Sequence, residues 1–154
     1  MIKEVKTQAK IGVGLDLLWK ALVKDLKFTI PDMIPNLVKD ADVIEGDGGL
    51  GTVYLFNFGP EIKTMTYQKE KISELDESLH RIALEVIEGG HLNLGFSYYN
   101  TIFQLTATGE VETLIDVTVA YESDTEDDAL PSKTTSSTLA FIKNLENYLL
   151  KAAA

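Results

Sequence analysis

The sequence predicts an α+β fold in which an antiparallel sheet wraps around one long helix. Three observations carry that prediction. Between Lys39 and Ser123 most of the chain alternates apolar and polar residues at the two-residue period of half-buried strands. From about Ala129 to Lys151 the period changes to that of a helix long enough to span about 35 Å. Two short helical stretches lie between a first strand and the rest. The resulting order, β-α-α-β6-α, lacks the strand–helix alternation of a parallel sheet.

The elements follow in turn. MIKEVKTQAKIG at the start alternates loosely and reads as a strand. GLDLLWKALVKDL then places Leu15, Leu18, Trp19 and Leu22 at helical spacing, with Asp16 suited to a first turn. Phe28-Thr29-Ile30-Pro31 is expected to break that helix. PDMIPNLV is expected to form a second short one, with Pro31 in its first turn and Pro35 limiting its length. Six further strands are expected in DADVIEG, TVYLFNF, TMTYQKEKISEL, SLHRIALEVIEGG, FSYYNTIFQLTA and ETLIDVTVAYES. Asp124 to Asp128 form an acidic loop, and the final helix carries Leu139, Ile142, Leu145 and Leu149 as its core residues.

EGDGGLGT, residues 45 to 52, invites a phosphate-binding reading. A P-loop needs its glycines followed by Lys-Ser or Lys-Thr, and a dinucleotide fingerprint must open a helix. This run opens the strand TVYLFNF instead, and Glu45 and Asp47 place negative charge where a phosphate would sit. It reads as a rigid hairpin loop whose glycines, Gly49 among them, supply positive φ.

The composition is that of a globular protein of 154 residues, 45% hydrophobic and 25% charged, with a mean hydropathy of +0.01. Such a length favours one domain, here residues 1–154. The formal net charge of −10 opposes binding to nucleic acid and to anionic membranes, because such binding rests on Lys and Arg. The absence of cysteine excludes disulfides, thiolate catalysis and zinc–thiolate sites. No basic segment precedes an apolar stretch at the start and no long uncharged apolar run occurs, so a cytoplasmic location is expected.

Alternation also assigns faces. With Lys69 and Lys71 outward, Thr64, Thr66, Gln68, Glu70 and Ile72 share the inner face. With Arg81 and Glu85 outward, Ile82, Leu84 and Val86 point in. Asn57 outward turns Tyr54, Phe56 and Phe58 inward. Tyr99, Thr101, Phe103 and Leu105, then Ile115, Val117, Val119 and Tyr121, complete the face. Two features are odd for a filled core. A glutamine and a glutamate lie on a buried face, where an unpaired carboxylate costs several kcal/mol. The helix also presents TTSST, residues 134–138, where large apolar groups should fill the sheet. Either the interior holds a pocket with apolar walls and a few directed polar groups, or Gln68 and Glu70 lie at a solvated edge and the threonines cap the helix.

KDADVIEGDGGLGTVYLFNF, VIEGG at Val86 to Gly90 and the terminal LENYLLKA resemble the plant class-10 pathogenesis-related proteins, the birch-pollen-allergen superfamily. VIEGDGG with NFGPEI, TYQKE, LDES and GFSYYNT is similar to one branch of it, the cytokinin-specific binding proteins. The resemblance covers nearly the whole chain. It implies a seven-stranded antiparallel sheet gripping the long helix, two short helices in a V, and a large internal cavity open to solvent. It further implies binding of cytokinins such as trans-zeatin, with gibberellin also to be considered, by a monomer or weak dimer without cofactor or metal. Carried over by motif, polar contacts fall at Gln68, Glu70, Thr138 and Phe141, with a main-chain contact at Leu22. Where close relatives can carry tyrosine, Phe141 lacks the hydroxyl. With the inward face, the expected ligand-binding set is Leu22, Tyr54, Phe56, Gln68, Glu70, Ile82, Leu84, Tyr99, Phe103, Thr138 and Phe141.

The resemblance also implies alternatives. Some relatives are ribonucleases, others catalyse condensations, and hormone receptors of related fold clamp phosphatases through a mobile gate. Ribonuclease chemistry wants histidines at a basic site, and His80 and His91 read as structural or surface residues on an acidic protein. Condensation wants a lysine beside acids, and Lys69 and Lys71 are assigned outward. The expectation is therefore a binding protein with no catalytic residues, an enzyme being the runner-up.

Overall fold

Inward-facing β-branched and aromatic residues lay down seven strands: β1 (Lys3–Ile11), β2 (Val38–Glu45), β3 (Val53–Phe58), β4 (Tyr67–Asp76), β5 (Arg81–Gly89), β6 (Phe96–Gly109) and β7 (Glu112–Ser123). They form one antiparallel sheet in the order β1-β7-β6-β5-β4-β3-β2. Consecutive strands from β2 to β7 pair as neighbours, and β1 closes onto β7, with Lys3 opposite Tyr121 and Ile11 opposite Thr113. The helices are α1 (Leu15–Val23), α2 (Leu26–Met33) and α3 (Leu130–Ala153). The computed structural model describes residues 1–63, 65–124 and 129–153. The inward assignment of Thr64 and most of the acidic loop, residues 125–128, lie outside the described residues. Among those described, no helix is long and apolar enough to cross a membrane.

The sheet, the strand order and the long helix match the predicted fold class. The short helices differ from prediction. α1 ends at Val23, and Phe28, Thr29, Ile30 and Pro31 lie inside α2 rather than between two helices. Pro31 removes one backbone donor, which a two-turn helix ending at Met33 tolerates. Leu26 and Thr29, one turn apart, bury themselves against the interior, and the Thr29 hydroxyl donates to the Asp25 carbonyl at 2.9 Å. Burial of that face outweighs the local proline signal. A 3-10 turn at Gly90–Asn93 was also not anticipated.

The faces assigned by alternation hold for Ile72, Ile82, Leu84, Val86, Tyr99, Phe103, Leu105, Ile115, Val117, Val119 and Tyr121, all buried. Thr66, expected inward, is exposed, because β4 begins only at Tyr67. Leu139 also corrects: it is surface-facing at 36% exposure, and the buried stripe of α3 runs Thr134, Thr138, Ile142, Leu145, Leu149. The large residues of that stripe join Leu18 and Leu22 of α1 in a filled core. The Gly12 N–H donates to Glu146 Oε2 at 2.8 Å and ties α3 to the end of β1.

The glycine loop joins β2 to β3 and spends its amides on itself and its neighbours. Gly48 N–H donates to Thr52 Oγ1 at 2.8 Å, Gly49 N–H to Asp47 Oδ1 at 3.0 Å, and Gly51 N–H to the Ile72 carbonyl at 2.9 Å. Those amides are occupied, which agrees with a structural loop. Positive φ falls at Gly46, Gly48 and Gly51 and not at Gly49, correcting that expectation. A Cβ on Gly46 would lie 2.7 Å from Thr52 Cα, and Thr52 is fully buried. Gly46→Ala should therefore cost about 2 kcal/mol or more in urea unfolding, whereas Gly49→Ala should change stability by a few tenths of a kcal/mol at most. Equal losses in the two variants would contradict this account of the loop.

Candidate ligand-binding site

Between α2, the inner face of β3 to β6 and the N-terminal half of α3 lies a cavity of about 460 Å³. It exists because α3 presents Ser137, Thr138, Ala140 and Phe141 there, and the first three are too short to reach the sheet. Ile30 and Ile34 close it from the α2 side, and Phe56, Phe58, Leu84 and Phe103 give it apolar walls. Gln68, Glu70, His91, Tyr99, Thr101, Thr138 and Asn144 add polar groups.

Eight of the eleven residues singled out from sequence stand on this wall: Phe56, Gln68, Glu70, Leu84, Tyr99, Phe103, Thr138 and Phe141. Leu22, Tyr54 and Ile82 do not. Leu22 and Ile82 belong to the filled core, because α2 rather than α1 borders the cavity. Tyr54 is 2% exposed and stacks beside Phe56, with ring centroids 6.1 Å apart. Phe141 meets Phe103 at 6.2 Å and offers an apolar surface. The Thr138 hydroxyl donates to the Thr134 carbonyl at 3.1 Å, leaving its oxygen as an acceptor toward the cavity.

Glu70 sits where the sheet is irregular. β5 places an extra residue, Ile87, between the partners of Lys69 and Glu70, a bulge that turns Ile87 toward solvent. Glu70 is half-buried and lines the cavity. Burial pushes its pKa from the ordinary 4.5 up to about 7, against the opposing pull of a hydrogen bond from Gln68. Burial, with the Glu70 charge second, raises Tyr99 to about 12. The Tyr99 ring and the Glu70 carboxyl thus share one poorly hydrated wall.

His91, read from sequence as structural or surface, stands on the cavity wall outside the expected ligand-binding set. Gly89 and Gly90, at φ +70° and +51°, end β5 and swing the chain into the 3-10 turn, which carries His91 back over Gln68. A Cβ on Gly90 would stand 1.9 Å from Gln68 Oε1, so glycine there is a condition of the close approach. Gln68 Oε1 accepts from the His91 backbone N–H at 3.2 Å and lies 2.9 Å from His91 Nδ1. The imidazole stacks on Tyr99 at 4.0 Å, and burial lowers its pKa to about 4. The VIEGG glycines were the available signal, but alternation carries no register through positive φ. No lysine or arginine stands on the cavity wall, and among the described residues no three potential metal ligands come together.

A curled antiparallel sheet gripping a helix over a mostly apolar cavity defines a small-ligand-binding fold. The chain belongs to the pathogenesis-related protein Bet v 1 family, whose pattern matches residues 1–152. It is 30% identical over 136 residues to norbelladine synthase of Narcissus pseudonarcissus, covering 88% of this chain and 83% of that one. Its fold is similar to that of norcoclaurine synthase of Thalictrum flavum, a point mutant solved with a transition-state analogue (TM-score 0.80, 25% identity, 100% and 98% of the two chains). It is also similar to Ara h 8.0201 (TM-score 0.83, 23% identity, 98% and 99%). The expectation that the protein is not an enzyme is overturned by these relatives. Two synthases share its family or fold, so catalysis is compatible with this architecture.

The raised Glu70 carboxyl has a measurable consequence for stability. The folded state holds this proton more tightly than the unfolded chain, so stability falls as pH rises from about 4.5 to about 7. Glu70→Gln removes that loss. Relative to the unaltered protein, the variant should gain about 2 kcal/mol more in urea unfolding at pH 8 than at pH 5. The same difference at both pH values would mean that Glu70 titrates normally.

Proposed function

We propose that the cavity binds a small planar plant hormone of the cytokinin type, in the cytoplasm, for storage, transport or signalling. The observation that carries this reading is the pairing of Gln68 and Glu70 on the wall of a mostly apolar cavity. Gln68 Oε1 is held by His91 and one amide N–H bonds Glu70, which leaves the other N–H as a donor. Glu70, when ionised, accepts only. A donor beside an acceptor complements an adenine edge, where a ring nitrogen lies next to an exocyclic N–H. Phe56, Phe103 and Phe141 supply flat apolar surface for the ring and its substituent.

A second reading, catalysis of a condensation between an amine and an aldehyde, is supported by the likeness to the two synthases and by Glu70 itself. A carboxyl with a pKa near 7 can give and take protons at neutral pH, as general acid–base catalysis requires. Incubation with an aromatic amine and a benzaldehyde separates the readings: product above a heat-inactivated control, lost in Glu70→Gln, favours catalysis.

Charge-assisted hydrogen bonds contribute about 1.5–3 kcal/mol, so on the hormone reading Glu70→Gln should weaken trans-zeatin roughly ten- to a hundredfold. Gibberellin brings its own carboxylate, which an ionised Glu70 repels, and should bind the variant unchanged or more tightly. In the unaltered protein trans-zeatin should bind up to about tenfold more tightly at pH 8 than at pH 6, as Glu70 ionises, with gibberellin shifting the opposite way. Calorimetric titration of both hormones against both proteins checks this. Parallel losses for the two ligands would show that Glu70 does not set preference by charge.

A further inference from the structure

His91 is fixed on several sides. Tyr99 stacks on it at 4.0 Å and 12°, Phe96 meets it edge-on at 5.8 Å, and Nδ1 lies 2.9 Å from Gln68 Oε1. The chemical identity of that glutamine atom follows from the backbone. The His91 main-chain N–H can only donate, and it points at the same atom from 3.2 Å. That atom is therefore the amide oxygen, not the nitrogen. An amide oxygen only accepts, so Nδ1 carries the imidazole proton. In a neutral ring the other nitrogen, Nε2, is then an unprotonated acceptor. Burial, which lowers the His91 pKa to about 4, keeps the ring neutral.

Nε2 has no partner among the described residues. No side-chain nitrogen or oxygen sealed from solvent lacks a partner either, so Nε2 is not sealed. His91 lines the cavity, so a bound molecule lies within reach of its ring.

We propose that His91 is a specificity-determining ligand contact whose Nε2 accepts a hydrogen bond from an O–H or N–H group of the bound molecule. Along the wall, Glu70, the Gln68 amide and His91 then read acceptor, donor, acceptor. The class of ligand selected is a planar molecule with a donor toward each end and an acceptor between. A carbonyl or carboxylate oxygen at the His91 end would face a lone pair and be disfavoured. The inference rests on the reading of the cavity as a ligand site, and not on the ligand being a hormone.

Nitrogen-15 NMR at pH 7 tests it. In the ligand-free protein, long-range proton–nitrogen spectra should show His91 with a pyrrole-like Nδ1 and a pyridine-like Nε2. Phenol and anisole, alike in shape, differ in that only phenol has an O–H. Phenol should move the Nε2 resonance toward its hydrogen-bonded position while anisole leaves it in place. Phenol should also bind about two- to tenfold more tightly than anisole, the worth of one neutral hydrogen bond. His91→Phe, which keeps a ring against Tyr99, should abolish that preference. A proton on Nε2 in the free protein, an equal response to both probes, or an unchanged preference in the variant would each overturn the proposal. If neither probe perturbs the Leu84 methyl signals, the ligand reading of the cavity fails and this inference with it. If phenol behaves as expected and trans-zeatin does not bind, only the hormone assignment fails.

Discussion

One helix cannot cover the inner face of seven strands, and the size of its side chains decides where the interior is solid. Where α3 carries Ile142, Leu145 and Leu149, it meets α1 and the sheet in a filled core. Up to about one turn earlier it carries Ser137, Thr138 and Ala140, short side chains that line the cavity instead of filling it. Packed interiors leave few voids larger than a water molecule, so an opening of about 460 Å³ is built into the sequence. The rest of the site depends on that mismatch.

A mostly apolar cavity raises the stakes of every polar group on its wall. Glu70, which near water would ionise at ordinary pKa, is held near the midpoint of its titration at neutral pH. Gln68 is the hub: its oxygen locks His91, one N–H of its amide bonds Glu70 and favours the carboxylate, and the other N–H remains for a ligand. The lock requires the backbone to pass within reach of that amide, which Gly90 permits and a side chain would prevent. Sheet irregularity and site chemistry thus have one origin, at the end of β5.

Much of this was legible in the sequence because strands announce their faces. Period-two alternation placed Gln68 and Glu70 inside, and the threonine-rich stretch of the last helix signalled that nothing large would meet them. Alternation failed where the backbone departs from regular pleating. It could not carry register through Gly89 and Gly90, so it did not place His91 on the cavity wall, and it set Thr66 inward although the strand starts one residue later. It also could not divide the inner face into filled and hollow parts. Tyr54 and Ile82 face inward as expected, yet their neighbours fill the space before them. Proline misled at α2, where burial of Leu26 and Thr29 decided the helix.

The central claim is that the cavity holds a desolvated carboxyl whose charge state is set by what binds beside it. Carbon-13 NMR of the Glu70 side-chain carboxyl, followed from pH 4 to pH 9, measures this directly. The account gives a midpoint of about 7 in the free protein, falling when a ligand with N–H donors saturates the cavity, since such donors favour the carboxylate. A midpoint near 4.5 in the free protein, unmoved by ligand, would contradict it.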